Sequence, residues 1–207
     1  MKVHHFYHIY AAGAWAEPVR EHASALSEAG FEGGLTVGLI GPAEDRDRAR
    51  EMVTMRFPVA GTEWIEADEG FEQLTLTALK EFVQDCKDEY AILYAHTKGA
   101  LDNSSLNACW RRSMTRHVVG NWRKCVSLLE NDSYDTVGCH WLMPEEHDCI
   151  TTPMYGGNFW WARSGYLRTL PPLSHDTRWR AEEWIGYGQP KAYDLLPGWP
   201  SMQLCAP

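Results

Sequence analysis

The alternation of hydrophobic and polar residues along the chain predicts a succession of strands and helices. The opening segment VHHFYHIYAAG is typical of a strand that ends in a loop of small residues, and apolar positions at helical spacing follow from about Trp15 to Ala29. The segment LTVGLIG at 35–41 is strand-like with a Gly-Pro stop, and the charged run EDRDRAREMV suits an exposed helix. These patterns predict two successive strand–helix units.

The same pattern continues through the middle of the chain. A short strand is predicted at 64–67, a helix with one buried face at 71–86, and then a buried strand, AILYAH. That strand ends in a polar loop formed by His96, Thr97, Lys98 and Gly99. Because parallel sheets bind ligands outside the carboxyl ends of their strands, the loops after Tyr10 and after Ala95 are the first places to expect a site.

The second half of the chain is predicted to add one long helix, two strands and a short helix. Helical spacing runs from Leu106 to Glu130, SYDTVGCHWL is strand-like, YGGNFWWA is typical of a strand after a glycine turn, and RWRAEEWIG suits a short helix. We therefore expect an α/β protein with a Rossmann-like, mostly parallel central sheet flanked by helices. The 207 residues form one predicted domain, with halves of different character at about 1–105 and 106–207.

The net charge limits the ways in which this chain could bind nucleic acid. A formal charge of −9 argues against a protein that holds nucleic acid mainly by neutralising phosphates, although a local basic patch could still do so. The one candidate patch consists of Arg111, Arg112, Arg116, His117, Arg123 and Lys124. The alternative interpretation of this patch is a solvated helix face.

Tryptophans, cysteines and apolar stretches narrow the class of protein further. Ten tryptophans fit a site that stacks on sugars or bases, with an excess of core aromatics as the alternative. Six cysteines without a Cys-x-x-Cys pair indicate buried or free thiols.

No apolar stretch approaches the roughly 20 residues of a membrane helix, and the N-terminus lacks a signal-peptide pattern, so we expect a cytoplasmic protein without a membrane span.

The segment YAHTKG is the first candidate for chemistry. It places Tyr94, His96, Lys98 and Gly99 at the end of a buried strand. A lysine beside a histidine and a glycine loop suits a diphosphate, because either side chain could stabilise negative charge on a departing nucleotide. Surface polarity is the alternative for each of these residues taken alone.

The segment YGGNFWW is the second candidate. Gly156 and Gly157 permit close approach of the backbone to a ligand, and Asn158 offers a donor and acceptors for hydroxyl groups. Trp160 and Trp161 alternate across the predicted strand, so only one of them need face the core. A glycine turn into an ordinary core strand is the alternative.

An adjacent pair of carboxylates, Glu182 and Glu183, is the third candidate. A carboxylate at the start of a helix can act as a general base on an acceptor hydroxyl if it lies within hydrogen-bond reach. Only one of the pair is expected to face the site. Salt bridges with Arg178 and Arg180 are the alternative.

Four segments together carry a family resemblance. AILYAHTKGA, CWRRSM, YGGNFWWARSGYLRTLP and RWRAEEW, in this order over roughly residues 90–186, resemble a group of bacterial and phage glycosyltransferase-like proteins. The resemblance implies a GT-A-type fold, with 1–105 as the nucleotide-sugar-binding half and 106–207 as the acceptor side. The implied donor is a nucleotide sugar, with a UDP-sugar as the first choice.

The resemblance also implies site residues. His96 and Lys98 would lie near the donor phosphates, and Gly157 and Asn158 near the sugar. Tyr10, Ala11 and Gly99, at the ends of the predicted strands, complete the predicted donor contacts. The predicted acceptor contacts are Trp160, Trp161, Arg111, Arg112 and Arg180. Glu182 or Glu183 would be the catalytic base.

The sequence leaves open whether the protein needs a divalent metal, Mn²⁺ or Mg²⁺. The Asp-x-Asp motif usual in GT-A enzymes is absent, and His96-Thr97-Lys98 occupies the corresponding strand end. Other hard ligands are present but lack diagnostic spacing. They are Asp102, His140, Glu145, Glu146, His147 and Asp148.

The function expected from these residues and the resemblance is transfer of a hexosyl or pentosyl group to a hydroxyl acceptor by single displacement. The acceptor could be a surface glycan, a phage or virion protein, or a hydroxymethylated DNA base. A non-catalytic carbohydrate-binding module is the main alternative. A nucleotidyltransferase ranks lower, because it normally needs a carboxylate-bound metal at the strand ends.

Overall fold

The structure is a computed structural model that describes residues 1–102, 104–131, 134–146, 150–174 and 177–197. Its strands are β1 (Lys2–Tyr10), β2 (Gly34–Ile40), β3 (Glu63–Ala67), β4 (Tyr90–His96), β5 (Thr136–Gly138), β6 (Trp141–Leu142), β7 (Met154–Tyr155), β8 (Trp160–Arg163) and β9 (Ala192–Asp194). Its α-helices are α1 (Ala16–Glu28), α2 (Ala43–Arg56), α3 (Gln73–Asp85), α4 (Ser105–Met114), α5 (Trp122–Glu130), α6 (Ser164–Thr169) and α7 (Trp179–Glu183). A π-helix at Thr115–Val119 and a 3₁₀-helix at Trp184–Gly186 complete the set among these residues.

Seven of the strands form one central sheet in the order β3-β2-β1-β4-β8-β5-β9. All neighbouring pairs are parallel except those made by β8, which runs antiparallel to both β4 and β5. This arrangement confirms the predicted α/β architecture with a mostly parallel sheet flanked by helices, and it is compatible with a Rossmann-like fold. Strands from both halves of the chain contribute to the same sheet.

Both faces of this sheet are buried, which explains the nearly continuous apolar runs of its central strands. On one face, Leu93 and Trp161 belong to the hydrophobic core shared with α1, α2, α4 and α5. On the other, Tyr94 and Trp160 belong to the core shared with α3, α6 and α7. Adjacent residues of β4 and of β8 therefore serve opposite cores, as strand alternation requires.

The direction of chain winding reverses between β1 and β4. From β1 the chain adds β2 and then β3 on one side, while β4 joins β1 on the other. The loops after these two strands are tied together, because the Thr97 amide donates to the His8 carbonyl over 3.0 Å and the Tyr10 amide donates to Thr97 Oγ1 over 2.9 Å. In α/β sheets such a reversal opens a crevice at the carboxyl ends of the strands.

The prediction of a single helix from Leu106 to Glu130 is wrong in one respect, because the chain forms three helical segments there. The π-helix follows α4 directly, and the Gly120 amide donates to the Thr115 carbonyl five residues earlier over 2.9 Å. That wider turn accommodates an extra residue and shifts the helical phase. Asn121, at φ −103° and ψ 29°, then separates it from α5.

The strand predicted in SYDTVGCHWL is likewise divided. His140 has φ +59°, and this left-handed residue ends the run that begins with β5. Asp194 accepts hydrogen bonds from the amides of His140 and Trp141, each over 2.9 Å, and so fixes the corner. The following strand, β6, leaves the central sheet and pairs with β7.

Among the described residues, none of the helices is both long enough and apolar enough to cross a membrane. Four cysteines fall within the described residues and are free thiols, namely Cys86, Cys109, Cys125 and Cys139. Cys149 and Cys205 lie outside the described residues.

Candidate functional site

A cavity of about 360 Å³ lies at the carboxyl ends of β1 and β4. Its walls come from β1, from the turn before α3, from the loop after β4 and from α7. The lining residues are His8, Tyr10, Phe71, Glu72, His96, Thr97, Lys98, Gly99, Ala100, Leu101, Asp102, Asn107, Arg178 and Glu182. The first and third candidate segments of the sequence are therefore brought together in one place.

The loop after β4 holds Lys98 in a defined position. Gly99 has φ +84°, and a Cβ at this residue would lie 3.2 Å from the Asp102 carbonyl oxygen, so this turn favours glycine. The buried Arg111 side chain donates from Nη1 to the Lys98 carbonyl over 3.1 Å. The backbone of Lys98 is thus braced from behind while its side chain lines the cavity.

The Lys98 ammonium group packs on an aromatic face. Its Nζ lies 4.2 Å from the centroid of the Trp110 ring, a cation–π geometry. Within the described ranges, no carboxylate forms an ion pair with Lys98. Its positive charge is therefore held in place without being neutralised.

Glu72 organises the floor of the cavity. Its Oε2 accepts hydrogen bonds from the Tyr94 hydroxyl and from Asn158 Nδ2, both over 2.7 Å. Burial raises the pKa of Tyr94 well above its usual value, with Glu72 contributing, so the hydroxyl stays a donor. The side-chain oxygen Oδ1 of Asn158 accepts in turn from Trp160 Nε1 over 2.7 Å. These contacts fix the Glu72 carboxylate from two sides.

His96 lines the cavity as a neutral side chain. Its Nε2 donates to the Gly157 carbonyl over 2.9 Å, and its Nδ1 lies 3.4 Å from Glu72 Oε1. Burial, and to a lesser extent the charge of Lys98, lower the pKa of His96 to about 4. At neutral pH the contact with Glu72 is therefore not an ion pair, and Lys98 rather than His96 provides positive charge on this side.

The two adjacent carboxylates of α7 have different environments. Glu182 lines the cavity with 9% of its surface exposed, and no described side chain hydrogen-bonds to its carboxylate. Burial raises the pKa of Glu182, and Lys98 partly opposes that shift. Glu183 instead accepts from the Thr151 amide over 3.0 Å and from its hydroxyl over 2.8 Å, and it pairs with Arg180. Only Glu182 is available to a ligand.

The other predicted donor contacts lie near the cavity wall or behind it. Ala11 is buried, and its amide donates to the Ile40 carbonyl over 2.6 Å. Gly157 contributes its carbonyl to His96, and Asn158 is wholly buried with its side chain engaged by Glu72 and Trp160. Of the seven predicted donor residues, those that line the cavity are Tyr10, His96, Lys98 and Gly99.

The tryptophans predicted to bind the acceptor do not reach the cavity. Trp160 and Trp161 have no exposed surface. Their indole N–H groups donate inward, from Trp160 to Asn158 and from Trp161 to the Val118 carbonyl over 2.8 Å. Both residues are therefore part of the two cores and offer no surface to a ligand in the cavity.

The predicted acceptor arginines form ion pairs away from the cavity. Arg111 and Arg112 each donate to Glu21 over 2.7 Å, and Arg112 also donates to Glu17 over 2.7 Å. Arg180 donates to Glu183 over 3.3 Å and to the Tyr187 hydroxyl over 3.3 Å. These contacts join α4 to α1 and fix α7, so they support the walls of the cavity rather than its surface.

The candidate metal ligands of the sequence are not gathered together. Within the described ranges, no three His, Cys, Asp or Glu side chains are placed to hold a metal ion. Asp102 lines the cavity, but its carboxylate accepts from the Ser104 amide over 3.2 Å and from Asn107 Nδ2 over 2.9 Å. His147 and Asp148 lie outside the described residues.

Glu72 is a cavity residue that the sequence did not single out, and Arg178 was considered only as an ion-pair partner of Glu182 or Glu183. Glu72 immediately precedes α3, and this crossover helix returns from the edge strand β3 to β4 across the second face of the sheet. Its start therefore lies at the same carboxyl edge as the loops after β1 and β4. The position of Glu72 at the start of α3 is the signal that could have identified it. Using that signal requires the strand order, because the residue pattern alone does not show which strand ends lie at the same edge.

The fold and the cavity together define an α/β protein with a doubly wound sheet and a cavity at its switch point, where proteins of this architecture commonly bind ligands. A family model described as Domain of unknown function (DUF8361) matches residues 6–189, and the chain belongs to this family. No curated protein matches the chain. The matched span includes every residue that lines the cavity.

Proposed function

We propose that this protein is a glycosyltransferase that moves a hexosyl or pentosyl group from a nucleotide sugar, with a UDP-sugar as the first donor to test, to a hydroxyl acceptor. The observation that carries the proposal is the presence of an unneutralised cation, Lys98, and an unbonded carboxylate, Glu182, in one cavity at the switch point. A cation that stabilises the departing diphosphate and a carboxylate that accepts the hydroxyl proton both promote this kind of group transfer.

Each of the two residues has a definite role in this reaction. The acceptor oxygen attacks the anomeric carbon while the bond from that carbon to the diphosphate breaks. The diphosphate leaves with the bonding electron pair, and the Lys98 ammonium stabilises its charge. The hydroxyl proton passes to the Glu182 carboxylate. A single displacement of this kind inverts the configuration of the anomeric carbon.

The environment of Glu182 favours its role as the base. Burial raises its pKa, and a general base works best when its pKa lies nearer the working pH. Its oxygens are not engaged by described side chains, in contrast to those of Glu183. Glu72 is less suited, because Tyr94 and Asn158 already donate to it.

The sheet and the acceptor side also bear on the proposal. The doubly wound order with one antiparallel strand is compatible with a GT-A-type arrangement. Arg111 and Arg112 are paired with Glu17 and Glu21, which leaves little free positive charge for DNA phosphates on that face. We therefore place glycan and protein hydroxyls before a modified DNA base as acceptors.

The proposal is tested by measuring nucleotide binding and donor turnover on two variants. Binding of UDP, GDP, CMP and their sugar derivatives is measured by calorimetry and thermal shift, with and without Mn²⁺. Lys98→Ala should weaken binding of the recognised nucleotide about tenfold or more, because a charge-assisted contact is lost. Glu182→Gln should bind it at least as tightly, since a negative charge is removed, yet release nucleotide from the sugar donor about 100-fold more slowly or worse.

Matched controls are an exposed lysine of α5 and an exposed carboxylate of α3, changed as Lys124→Ala and Glu81→Gln. Both should behave as wild type. Binding of simple sugars without any nucleotide would instead indicate a carbohydrate-binding module. A Glu182→Gln variant with normal turnover would show that another group is the base.

A further inference from the structure

A second cation, Arg178, lines the same cavity and also packs on a tryptophan, although Arg178 and Trp179 are exposed whereas the Trp110 partner of Lys98 is buried. The Arg178 guanidinium carbon lies 4.6 Å from the centroid of the Trp179 ring. Among the residues that the structure describes, Arg178 has no ion-pair partner. Lys98 and Arg178 both oppose the rise in the pKa of Glu182, so both charges act on that carboxylate.

Cation–π packing has a different consequence from an ion pair. A tryptophan face attracts a cation but leaves its net charge in place, whereas a carboxylate cancels that charge. Arg46, Arg112 and Arg180 illustrate the second case, because each is paired with a carboxylate. Lys98 and Arg178 share one cavity and neither forms an ion pair within the described residues, so both can contact an anion placed between them.

The cavity fits a divalent cation poorly. Its carboxylates are those of Glu72, Asp102 and Glu182. Glu72 Oε2 already accepts two side-chain hydrogen bonds and the Asp102 carboxylate accepts one from Asn107, which leaves these oxygens fewer free lone pairs for a metal. Glu182 is the third, and the positive charges of Lys98 and Arg178 act on it and would repel a second cation there.

We propose that Lys98 and Arg178, each held on a tryptophan face, form a clamp for a diphosphate and supply the positive charge that a divalent ion would otherwise provide. This inference rests on the proposed function, since it describes how the donor is held. Trp179 is a positioning residue in the clamp, because it orients the guanidinium group without touching the ligand. Binding of the diphosphate therefore needs no metal.

The clamp is tested on the full chain with two probes, inorganic pyrophosphate and UDP, by calorimetry in EDTA and again in Mn²⁺. Wild-type affinity should be the same in the two buffers within about twofold. Arg178→Gln should lower the affinity for both probes about tenfold or more. Arg178→Lys should lower it less, because lysine keeps the charge and loses only the planar fork of the guanidinium group. Trp179→Leu should also lower the affinity for both probes, although Arg178 keeps its charge.

Arg50→Gln is the matched control for the loss of charge. Arg50 packs on Trp64, with its guanidinium carbon 5.0 Å from the ring centroid, and neither residue lines the cavity. This variant changes the net charge by the same amount and should bind both probes as wild type does. Because Arg178 is exposed, Arg178→Gln should keep the wild-type circular dichroism spectrum and melting temperature.

The outcomes separate this inference from the proposed function. If UDP binds only with Mn²⁺ and Arg178→Gln binds as wild type, the clamp is wrong and the transferase proposal stands. If pyrophosphate binds through Arg178 but no nucleotide or nucleotide sugar binds, the clamp stands and the transferase proposal is wrong. Failure of every probe to bind in either buffer would overturn both.

Discussion

At the scale of single residues, Gly157 shows how strictly the floor of the cavity is built. Its backbone has φ +85°, a region that side chains with a Cβ rarely occupy. A Cβ at this position would lie 2.8 Å from Met114 Sδ. The same residue supplies the carbonyl that accepts from His96. Backbone conformation and packing therefore both favour glycine here.

Gly157→Ala should lower the free energy of unfolding by about 2–4 kcal/mol, through left-handed backbone strain and overpacking against Met114. Urea denaturation measures this change. Gly61→Ala is the control, because Gly61 has φ +77° but no atom within 4 Å of the added Cβ. It should cost only the backbone part, about 1–2 kcal/mol. Equal losses in the two variants would mean that Met114 yields without cost.

The sequence predicted some cavity residues well because their position follows from strand ends. His96, Lys98 and Gly99 come directly after a buried strand of a parallel sheet, where a ligand crevice is expected. Trp160 and Trp161 were chosen as acceptor contacts by residue type, and residue type does not reveal burial. Both faces of β8 are covered, so neither indole is exposed.

At the scale of elements, the short helix α6 depends on a lysine from α3. The buried Lys80 ammonium donates to the carbonyls of Leu167, Arg168 and Leu170, over 3.0, 2.9 and 2.7 Å. These carbonyls lie at the C-terminal end of α6, where a helix leaves its last acceptors without internal donors. One side chain thus caps the helix and joins it to α3.

Lys80→Met should lower the free energy of unfolding by about 2–3 kcal/mol, because methionine fills similar space but leaves these carbonyls without their charged donor. Chemical denaturation measures the change. The control is Lys124→Met, at an exposed position of α5, and it should change stability by no more than about 0.5 kcal/mol. A Lys80→Met variant as stable as wild type would show that other groups satisfy the α6 carbonyls.

Helix and strand boundaries in the second half were harder to predict than element types. The apolar spacing fits a helix on each side of the π-helical turn at 115–119, and that turn shifts the helical phase by about one residue. A single shift of this size within 106–130 is hard to distinguish from the normal scatter of apolar positions in one helix. The corner at His140 depends on capping by Asp194, which is 54 residues away in the chain. Local patterns do not contain that contact.

At the scale of the whole molecule, buried histidines should make stability depend on pH. His5 and His8 are buried on opposite faces of β1, and burial lowers the pKa of His5 to about 3 and that of His8 to about 4. His5 Nδ1 donates to the Leu93 carbonyl over 3.1 Å, so its Nε2 accepts from His22 Nε2 over 2.8 Å. This chain of contacts requires neutral imidazole rings.

The free energy of unfolding should be constant above about pH 6.5 and should fall as the pH drops toward 4. Over this range unfolded histidines, with a pKa of about 6.5, bind protons that the folded protein excludes. Each buried histidine with a folded pKa of about 4 should cost about 2 kcal/mol at pH 5. Urea denaturation at several pH values measures the loss.

His8→Gln provides the internal comparison for this pH dependence. Glutamine can keep a hydrogen bond to Thr75 Oγ1, which His8 Nδ1 now contacts over 2.8 Å, but it does not titrate. The fall in stability between pH 6.5 and pH 5 should be smaller by about 2 kcal/mol in this variant. An unchanged fall would mean that His8 does not contribute to acid sensitivity.

The position of β8 imposes an order of events on synthesis of the chain. Strands β1 to β4 can pair with one another as they leave the ribosome, but the outer edge of β4 is completed only by residues 160–163. β5, made earlier, finds its neighbours only in β8 and β9. Until β8 emerges, a nascent chain therefore exposes an unpaired sheet edge, the kind of surface that recruits strands from other molecules.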